Sequence, residues 1–322
     1  MVKRSPFKSL ATILFTLYAA QIAMAEPENP QVLPSADSAV GALDDLPAHP
    51  VRAFEITGHF DPLPPPGPGD WLAEHPEPGQ TVAQSLRARP NRPDARRQKL
   101  YLVPLGAFPP HRSPAINRLR EFATAFFSLD VTLLPPLDLD TAAIEGRRNP
   151  HTGQLQLDAR AVLRLLRRRL PADAFALLGI TMVDLYPDPT WNFVFGLASP
   201  SDHVGVFSFA RYDPGFYGET ASQNAEDLLL QRSCKVLAHE ISHMFGIAHC
   251  VFFNCLMKGS NHLAESDARP LHLCPVDQRK LQHSTGFEPA TRYRQLLDFS
   301  RRVGFDEDSA WLEKRLRYVE RF

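Results

Sequence analysis

One short segment in the last third constrains the fold of this chain more than any other stretch. Residues 239–249 have the sequence H-E-I-S-H-M-F-G-I-A-H. Apolar residues leading into it recur at spacings of three and four, which predicts a helix from Ser222 or Asn224 to about Phe245. The buried stripe of that helix consists of Leu230, Cys234, Leu237, Ile241 and Met244. Gly246 permits the left-handed turn that ends a helix, so we expect the chain to turn back there.

The polar residues of this segment are those that a hydrolytic metal site needs. His239 and His243 are four residues apart, so they lie on one helix face and can bind the same metal ion. After the turn at Gly246, His249 can complete a set of three imidazoles that leaves a fourth zinc position for water. Zinc lowers the pKa of such a water to about 7, and Glu240 can then act as the general base. The segment therefore predicts a zinc-dependent hydrolase, whereas ordinary helix-face residues would match it only by coincidence.

The wider pattern resembles that of the metzincin metallopeptidases. Cys250 directly after the third histidine, followed by Cys255, Met257 and Cys274, is similar to the archaemetzincins in particular. The similarity extends over roughly residues 69–282. Matching stretches include residues 179–181, 184–187, 191–193, 207–211, 233–237 and 256–263.

This resemblance implies a fold class and a role for one methionine. The implied fold is α/β (α+β, metzincin-like), with a twisted mixed β-sheet over the active-site helix and a smaller C-terminal part below the cleft. Met257 is implied to form a methionine turn, an apolar floor beneath the three imidazoles.

The resemblance also implies a second metal position, at which this chain differs from the family. Archaemetzincins carry a structural zinc held by four cysteines, and three of these correspond to Cys250, Cys255 and Cys274. The fourth position is occupied here by Asp277, in the sequence C-P-V-D. An aspartate oxygen can bind zinc, so a site of three sulfurs and one oxygen is chemically allowed.

Other outcomes remain open for this cluster. The site could be weakened or empty, because one sulfur ligand is replaced. In an oxidising compartment, two of the three cysteines could instead form a disulfide. The nearby side chains that could replace the missing cysteine are His272, His283 and Cys234.

The beginning of the chain has the features of an export signal. Lys3, Arg4 and Lys8 precede an apolar stretch, and residues 23–25 have the sequence A-M-A, which suits a signal-peptidase cut. The alternative is an uncleaved membrane anchor, but the apolar stretch is short for a bilayer. We therefore expect residues 1–25 to be a signal peptide, and the protein to be exported (periplasmic or secreted) without stable membrane association afterwards.

The next stretch, residues 26–68, is rich in proline and lacks a periodic apolar pattern. Its P-P-P-G-P sequence at residues 64–68 cannot form a helix or a central strand. We predict an irregular, partly disordered lead-in, with a regulatory pro-segment as the alternative. Order is expected from about Gly69, and residues 69–322 are predicted to form the catalytic domain with C-terminal helices.

Strands and helices are predicted to alternate from about residue 99. The predicted strands are residues 100–105, 131–134, 174–183, 191–195 and 204–209. The predicted helices, besides that of the active site, are residues 113–127, 157–170 and 293–319. The last two strands could pair as an antiparallel edge, which can accept an extended peptide as an added strand.

The numbers of basic and acidic residues indicate which class of partner the protein binds. Lysine plus arginine total 35 and acidic residues 36, so no basic excess favours nucleic acid. We expect a peptide or protein substrate and a zinc metallopeptidase, with aminopeptidase action suggested by the family and exo- versus endopeptidase specificity open. The alternatives are hydrolysis of a different amide, or a non-catalytic zinc-dependent peptide-binding or scaffold protein. The presence of Glu240 argues against the latter.

Overall fold

The computed structural model describes residues 33–44, 46, 51–142, 144–219 and 224–321. The signal peptide predicted at residues 1–25 lies outside them. The strands are β1 Lys99–Leu105, β2 Val131–Leu133, β3 Gly146–Arg148, β4 Leu155–Asp158, β5 Ala174–Thr181, β6 Asp184–Tyr186, β7 Gly196–Ser199 and β8 Val204–Ser208.

The α-helices surround and follow these strands. They are α1 Ala36–Val40, α2 Trp71–Glu74, α3 Val82–Arg87, α4 Ile116–Phe127, α5 Leu139–Ala142, α6 Ala159–Arg168, α7 Ala225–Met244, α8 Leu263–Asp267, α9 Pro275–Thr285, α10 Pro289–Val303 and α11 Asp306–Val319. Short 3₁₀ helices cover Arg52–Phe54, Pro200–Asp202, Ala210–Tyr212 and Pro214–Tyr217. Within the described ranges, none of the helices is both long enough and apolar enough to cross a bilayer.

The larger sheet is mixed and has the strand order β2-β1-β5-β8-β7. The first four strands are parallel to their neighbours, whereas β7 pairs antiparallel with β8 and forms one edge. Every residue of β5 is buried, as expected for a central strand covered on both faces. A smaller sheet joins β4 to β3 and β6.

Helices cover both faces of the larger sheet, because successive residues of a strand point to opposite faces and the central strand β5 is apolar on both. On one face, Leu177 and Val206 share a core cluster with Leu166 of α6. On the opposite face, Leu178 lies in the core cluster that contains Ile241 of α7. The sheet, with α7 packed against β7 and β8, confirms the predicted α/β class.

Most predicted elements are confirmed, but the strand predicted at residues 191–195 is wrong. The Arg147 guanidinium donates to the main-chain carbonyls of Pro189, Trp191 and Asn192, so much of this backbone is satisfied by a side chain rather than by a strand ladder. The antiparallel edge is formed instead by the next residues, in β7.

Two predicted helix boundaries also change. The helix predicted at residues 157–170 begins only at Ala159, because the preceding residues pair as β4 and Asp158 caps the helix with its carboxylate. The helix predicted at residues 293–319 is two helices. Gly304, in the left-handed region at φ 76°, separates them.

The proline-rich lead-in packs against the rest of the molecule in its described parts. It contains one short α-helix and one 3₁₀ turn, and Val40, Phe54 and Phe60 are buried. The fully buried Arg315 of α11 donates to the main-chain carbonyl of Ala53 at 2.9 Å. Order therefore begins before Gly69, because isolated apolar residues find partners without any periodic pattern.

Candidate zinc-binding active site

Helix α7 is anchored in the core where it carries the site. All residues from Ser233 to Met244 are buried. At its C-terminal end, the ring of Phe245 stacks on Phe175 and on Phe127, with ring centroids 4.5 Å and 5.6 Å away. Aromatic pairs of this kind fix the end of the helix, and hence the direction of the histidines that precede it.

The turn after α7 has the predicted conformation. Gly246 lies at φ 75°, and its N–H donates to His243 O at 2.9 Å. The side-chain amide of Gln80 donates to Gly246 O and accepts from the N–H of Ala248. The glycine and this amide together return the chain, so that His249 faces the helix.

The structure brings the three predicted histidines together. They are buried, and one ligand atom from each lies within 4.8 Å of the others. Their Nδ1 atoms face oxygen acceptors: Leu256 O at 2.9 Å for His239, Ile247 O at 2.6 Å for His243 and a carboxylate at 2.8 Å for His249. The guanidinium of Arg269 also approaches Nδ1 of His239, with Nη1 at 3.0 Å. A ring that holds its proton on Nδ1 leaves the Nε2 lone pair for a metal.

The electrostatic environment favours neutral imidazoles. Burial, with His249 nearby, lowers the pKa of His243 to about 3. Burial and the charge of Arg269 lower the pKa of His239 well below its usual value. Neutral imidazole is the form that binds zinc, so the burial of these rings suits a metal site.

Glu240 lies beside the histidines on the same helix and is fully buried. Among the described residues, neither of its carboxylate oxygens has a hydrogen-bond partner, nor does Nε2 of His249. Burial raises the pKa of Glu240 to about 8, against the opposing charge of Arg269. Unpartnered buried polar atoms are costly, and a cation with its water would satisfy them. The residues present therefore fit a zinc ion.

Met257 lies in the loop that follows the third histidine. It is fully buried, and its carbonyl accepts from the N–H of Cys250 at 2.9 Å. The neighbouring residue, Leu256, supplies the carbonyl that faces His239. The loop therefore contacts the site through the main chain of Leu256 and Met257. The position of the Met257 side chain as a floor beneath the imidazoles stays a prediction.

A second group of candidate ligands lies in the same part of the molecule. Cys250, Cys255, Cys274 and Asp277 are all buried, with ligand atoms within 4.8 Å of one another. Asp277 Oδ2 lies 3.4 Å from the sulfur of Cys255 and 3.5 Å from that of Cys274. The cysteines are free thiols. Asp277 therefore lies beside the three sulfurs, at the fourth ligand position that the resemblance implied.

The side chains considered as replacements lie elsewhere. His272 stacks on Trp311, with ring centroids 3.6 Å apart. Cys234 is buried in the main core, and His283 lies near Arg92. None of the three belongs to the group formed by the cysteines and Asp277.

The cation beside Asp277 was not predicted from the sequence. Lys280 Nζ lies 2.9 Å from Asp277 Oδ1, and both side chains are buried. Burial raises the pKa of Asp277 to about 6, although the charge of Lys280 opposes this shift. The i, i+3 spacing on a helix was a usable signal for this pair.

A second missed residue is Glu77, the carboxylate that faces His249. Its Oε1 also accepts from the indole N–H of Trp71 at 2.8 Å. Burial raises the pKa of Glu77, but the hydrogen bond and charge of His249 outweigh it, so that the pKa lies below its usual value. Glu77 belongs to a proline-rich stretch without periodicity, which offered no local signal.

Together, a buried H-E-x-x-H helix, a glycine turn and a returning third histidine define the active-site architecture of a metzincin-type zinc metallopeptidase. The model of peptidase family M54 matches residues 134–283. Archaemetzincin-2 of Macaca fascicularis is 40% identical over 266 residues, which cover 74% of this chain and 74% of that protein. The chain belongs to the archaemetzincin family, a family of zinc metallopeptidases.

Two further matches are more distant. Archaemetzincin-1 of Homo sapiens is 34% identical over 263 residues, covering 73% of this chain and 52% of that protein. A solved structure of a zinc-dependent peptidase from Methanocorpusculum labreanum is 29% identical, with a TM-score of 0.46, and covers 56% of this chain and 99% of that one.

Proposed function

We propose that this protein hydrolyses peptide bonds with a zinc ion held by His239, His243 and His249. The observation that carries the proposal is the convergence of three buried imidazoles, each with an oxygen at Nδ1, beside the unpartnered carboxylate of Glu240. When bound, zinc polarises the scissile carbonyl and makes water a stronger acid.

Glu240 is the general base in this proposal. Its carboxylate takes the proton of the attacking water and passes it to the leaving amine. The position supports this role, because the fully buried carboxylate lies on helix α7 next to His239, one of the proposed zinc ligands. Among the described residues no hydrogen bond restrains either oxygen, so both are available to a water molecule.

The substrate is a peptide or protein, bound in an extended form along the free edge of β7. The sheet ends at this strand, and Ala198 and Ser199 are only partly buried. An unpaired strand edge binds an extended peptide through main-chain hydrogen bonds. Family membership favours aminopeptidase action over internal cleavage.

The second cluster holds a structural zinc with three sulfur ligands and one oxygen ligand. Asp277 supports this, because Oδ2 faces the sulfurs while Lys280 binds Oδ1. Burial raises the pKa of the Cys255 and Cys274 thiols well above the usual value, whereas burial of Cys250 is outweighed by hydrogen bonds with those two thiols, which lower its pKa well below that value. Zinc binds cysteine as the thiolate, so a bound ion would hold all three sulfurs ionised.

The protein is exported, periplasmic or secreted, after cleavage of residues 1–25. The positive start, the apolar stretch and the A-M-A sequence at residues 23–25 support this proposal. The near balance of 35 basic and 36 acidic residues supports the absence of a nucleic-acid partner.

The decisive experiment compares the zinc-loaded wild type with Glu240→Gln on a diverse peptide library read by mass spectrometry. Loss of the base should lower turnover by about 10²- to 10⁴-fold, while zinc content by elemental analysis stays unchanged. Glu307→Gln, at an exposed position, is the matched control. The cleavage products show directly whether termini or internal bonds are cut.

Two results would count against the proposal. Turnover retained in Glu240→Gln would remove the base role from this residue. Zinc and peptide binding without cleavage by the wild type would instead favour a zinc-dependent peptide-binding or scaffold protein.

A further inference from the structure

The third histidine is held differently from the other two. His239 and His243 place Nδ1 against main-chain carbonyls of residues 17 and 4 positions away in sequence, and Nδ1 of His239 also lies 3.0 Å from the guanidinium of Arg269. Neither ring faces a carboxylate through Nδ1 in these contacts. His249 places Nδ1 2.8 Å from Oε1 of Glu77, a carboxylate 172 positions away. Glu77 also lies outside residues 134–283, the region that the family model matches.

Glu77 is itself fixed by Trp71. The indole N–H donates to Glu77 Oε1, and the indole ring meets the His249 ring edge to face, with centroids 5.2 Å apart. Trp71 is buried, and its own main-chain N–H donates to the carboxylate of Glu265 at 3.1 Å. A Cβ on Gly259 would come within 2.3 Å of the indole, so this close approach requires glycine.

The same N-terminal segment also reaches the turn between the second and third histidines. Gln80 donates to Gly246 O at 3.1 Å and accepts from Ala248 N at 3.2 Å. Residues 71–80 therefore contact both the ring of His249 and the main chain that carries it. These contacts come from side chains, so they depend on residue identity rather than on backbone geometry alone.

We propose that Glu77 is a positioning residue for the catalytic zinc, and that residues 71–80 are part of the zinc site. The carboxylate keeps the proton of His249 on Nδ1, orients the ring and makes Nε2 a stronger electron donor to the metal. The proposal rests on the proposed function only in taking zinc as the metal of the three histidines.

The test measures zinc affinity of the full chain by competition with a chromophoric chelator. Removal of a carboxylate behind a zinc-bound histidine typically weakens zinc binding by about 10- to 100-fold, and we expect this for Glu77→Ala. Glu77→Gln keeps the shape and an oxygen acceptor but not the charge, so a smaller loss is expected. Glu74→Ala, an exposed carboxylate in the same segment, is the matched control and should bind zinc like the wild type.

A second readout separates ligand orientation from a general loss of stability. In the Co²⁺-substituted protein, the visible absorption bands report the ligand geometry, and they should shift in Glu77→Ala and Glu77→Gln but not in Glu74→Ala. Wild-type zinc affinity and an unchanged cobalt spectrum in Glu77→Gln would overturn the proposal, even if Glu77→Ala fails to fold. Affinity is measured without peptide, so this result stands whether or not the wild type cleaves peptides.

Discussion

At the scale of single residues, Asp277 determines which ligand atoms the second cluster offers to a metal ion. One of its oxygens faces two thiols and the other is bound by Lys280, so the carboxylate is oriented to offer a single oxygen to a metal. Removing one partner of a buried ion pair typically costs about 3–5 kcal/mol. Lys280 thus stabilises a buried carboxylate at a position where the family resemblance implies a cysteine.

This orientation predicts the zinc content of three proteins. The wild type should bind two zinc ions per chain, Asp277→Ala one and Asp277→Cys two, because a thiolate restores the fourth ligand. Elemental analysis after dialysis measures the ratio, with Asp298→Ala, at an exposed position, as the control. One zinc in the wild type and two in Asp277→Cys would mean that the natural cluster has lost its metal.

Spacing along the chain determined which site residues could be predicted. The histidines, Glu240 and the cysteines lie in one stretch whose intervals are diagnostic, and the structure brings the predicted ligands into two groups. Glu77 could not be found this way, because the fold alone brings it next to His249. Lys280 was overlooked because a lysine on a helix is almost always exposed.

At the scale of elements, β7 pairs with β8 on one side, and no strand of the described residues pairs with its other side. Ser208 N donates to Phe195 O at 2.8 Å, and hydrogen-bonded pairs alternate along an antiparallel ladder. Leu197 therefore exchanges hydrogen bonds with Val206, whereas the main-chain groups of Gly196 and Ala198 point away from β8. Those outward groups are the ones a peptide would use.

Replacing Ala198 with proline tests this edge, because proline removes the outward N–H and leaves the bonds to β8 in place. We expect KM for peptides to rise about fivefold, equivalent to about 1 kcal/mol for one hydrogen bond, with kcat and Tm little changed. Ala198→Val keeps the N–H and serves as the control. An unchanged KM in a folded Ala198→Pro variant would exclude this edge from substrate binding.

Regular elements were easier to predict than irregular ones, for a physical reason. The buried strand β5 and the helix α7 show their apolar pattern directly in the sequence. The error at residues 191–195 arose because Arg147, more than forty positions earlier, satisfies those carbonyls. Local patterns report burial well, but they do not show which distant side chain satisfies a stretch of backbone.

At the scale of the whole molecule, the lead-in contacts the last helix of the chain. Arg315 of α11 donates to the carbonyls of Arg52 and Ala53, and Tyr318 hydrogen-bonds Glu55. The lead-in therefore contributes to the core that supports the C-terminal helices. A mature protein starting at Glu26 would retain all of these contacts.

The proposed export predicts which residue forms the N-terminus of the purified protein. Expression of the full chain in a host with a signal peptidase should yield, outside the cytoplasm, a protein whose first residue is Glu26 by N-terminal sequencing. Ala25→Leu should block the cut, because the enzyme requires a small residue there. Recovery of the wild type in the membrane fraction with residues 1–25 intact would instead support an anchor.

The distance along the chain between Glu77 and His249 has a consequence for the timing of folding. The two residues are 172 positions apart, and the contact between Ala53 and Arg315 spans 262. Contacts of such long range form slowly, and only after both partners are available. In a chain that crosses a membrane N-terminus first, Glu77 reaches the far side before His249, and their contact can form only after His249 has also crossed. Under the proposed export, the zinc site would therefore be completed only after His249 has crossed the membrane, and the peptidase would become active outside the cytoplasm.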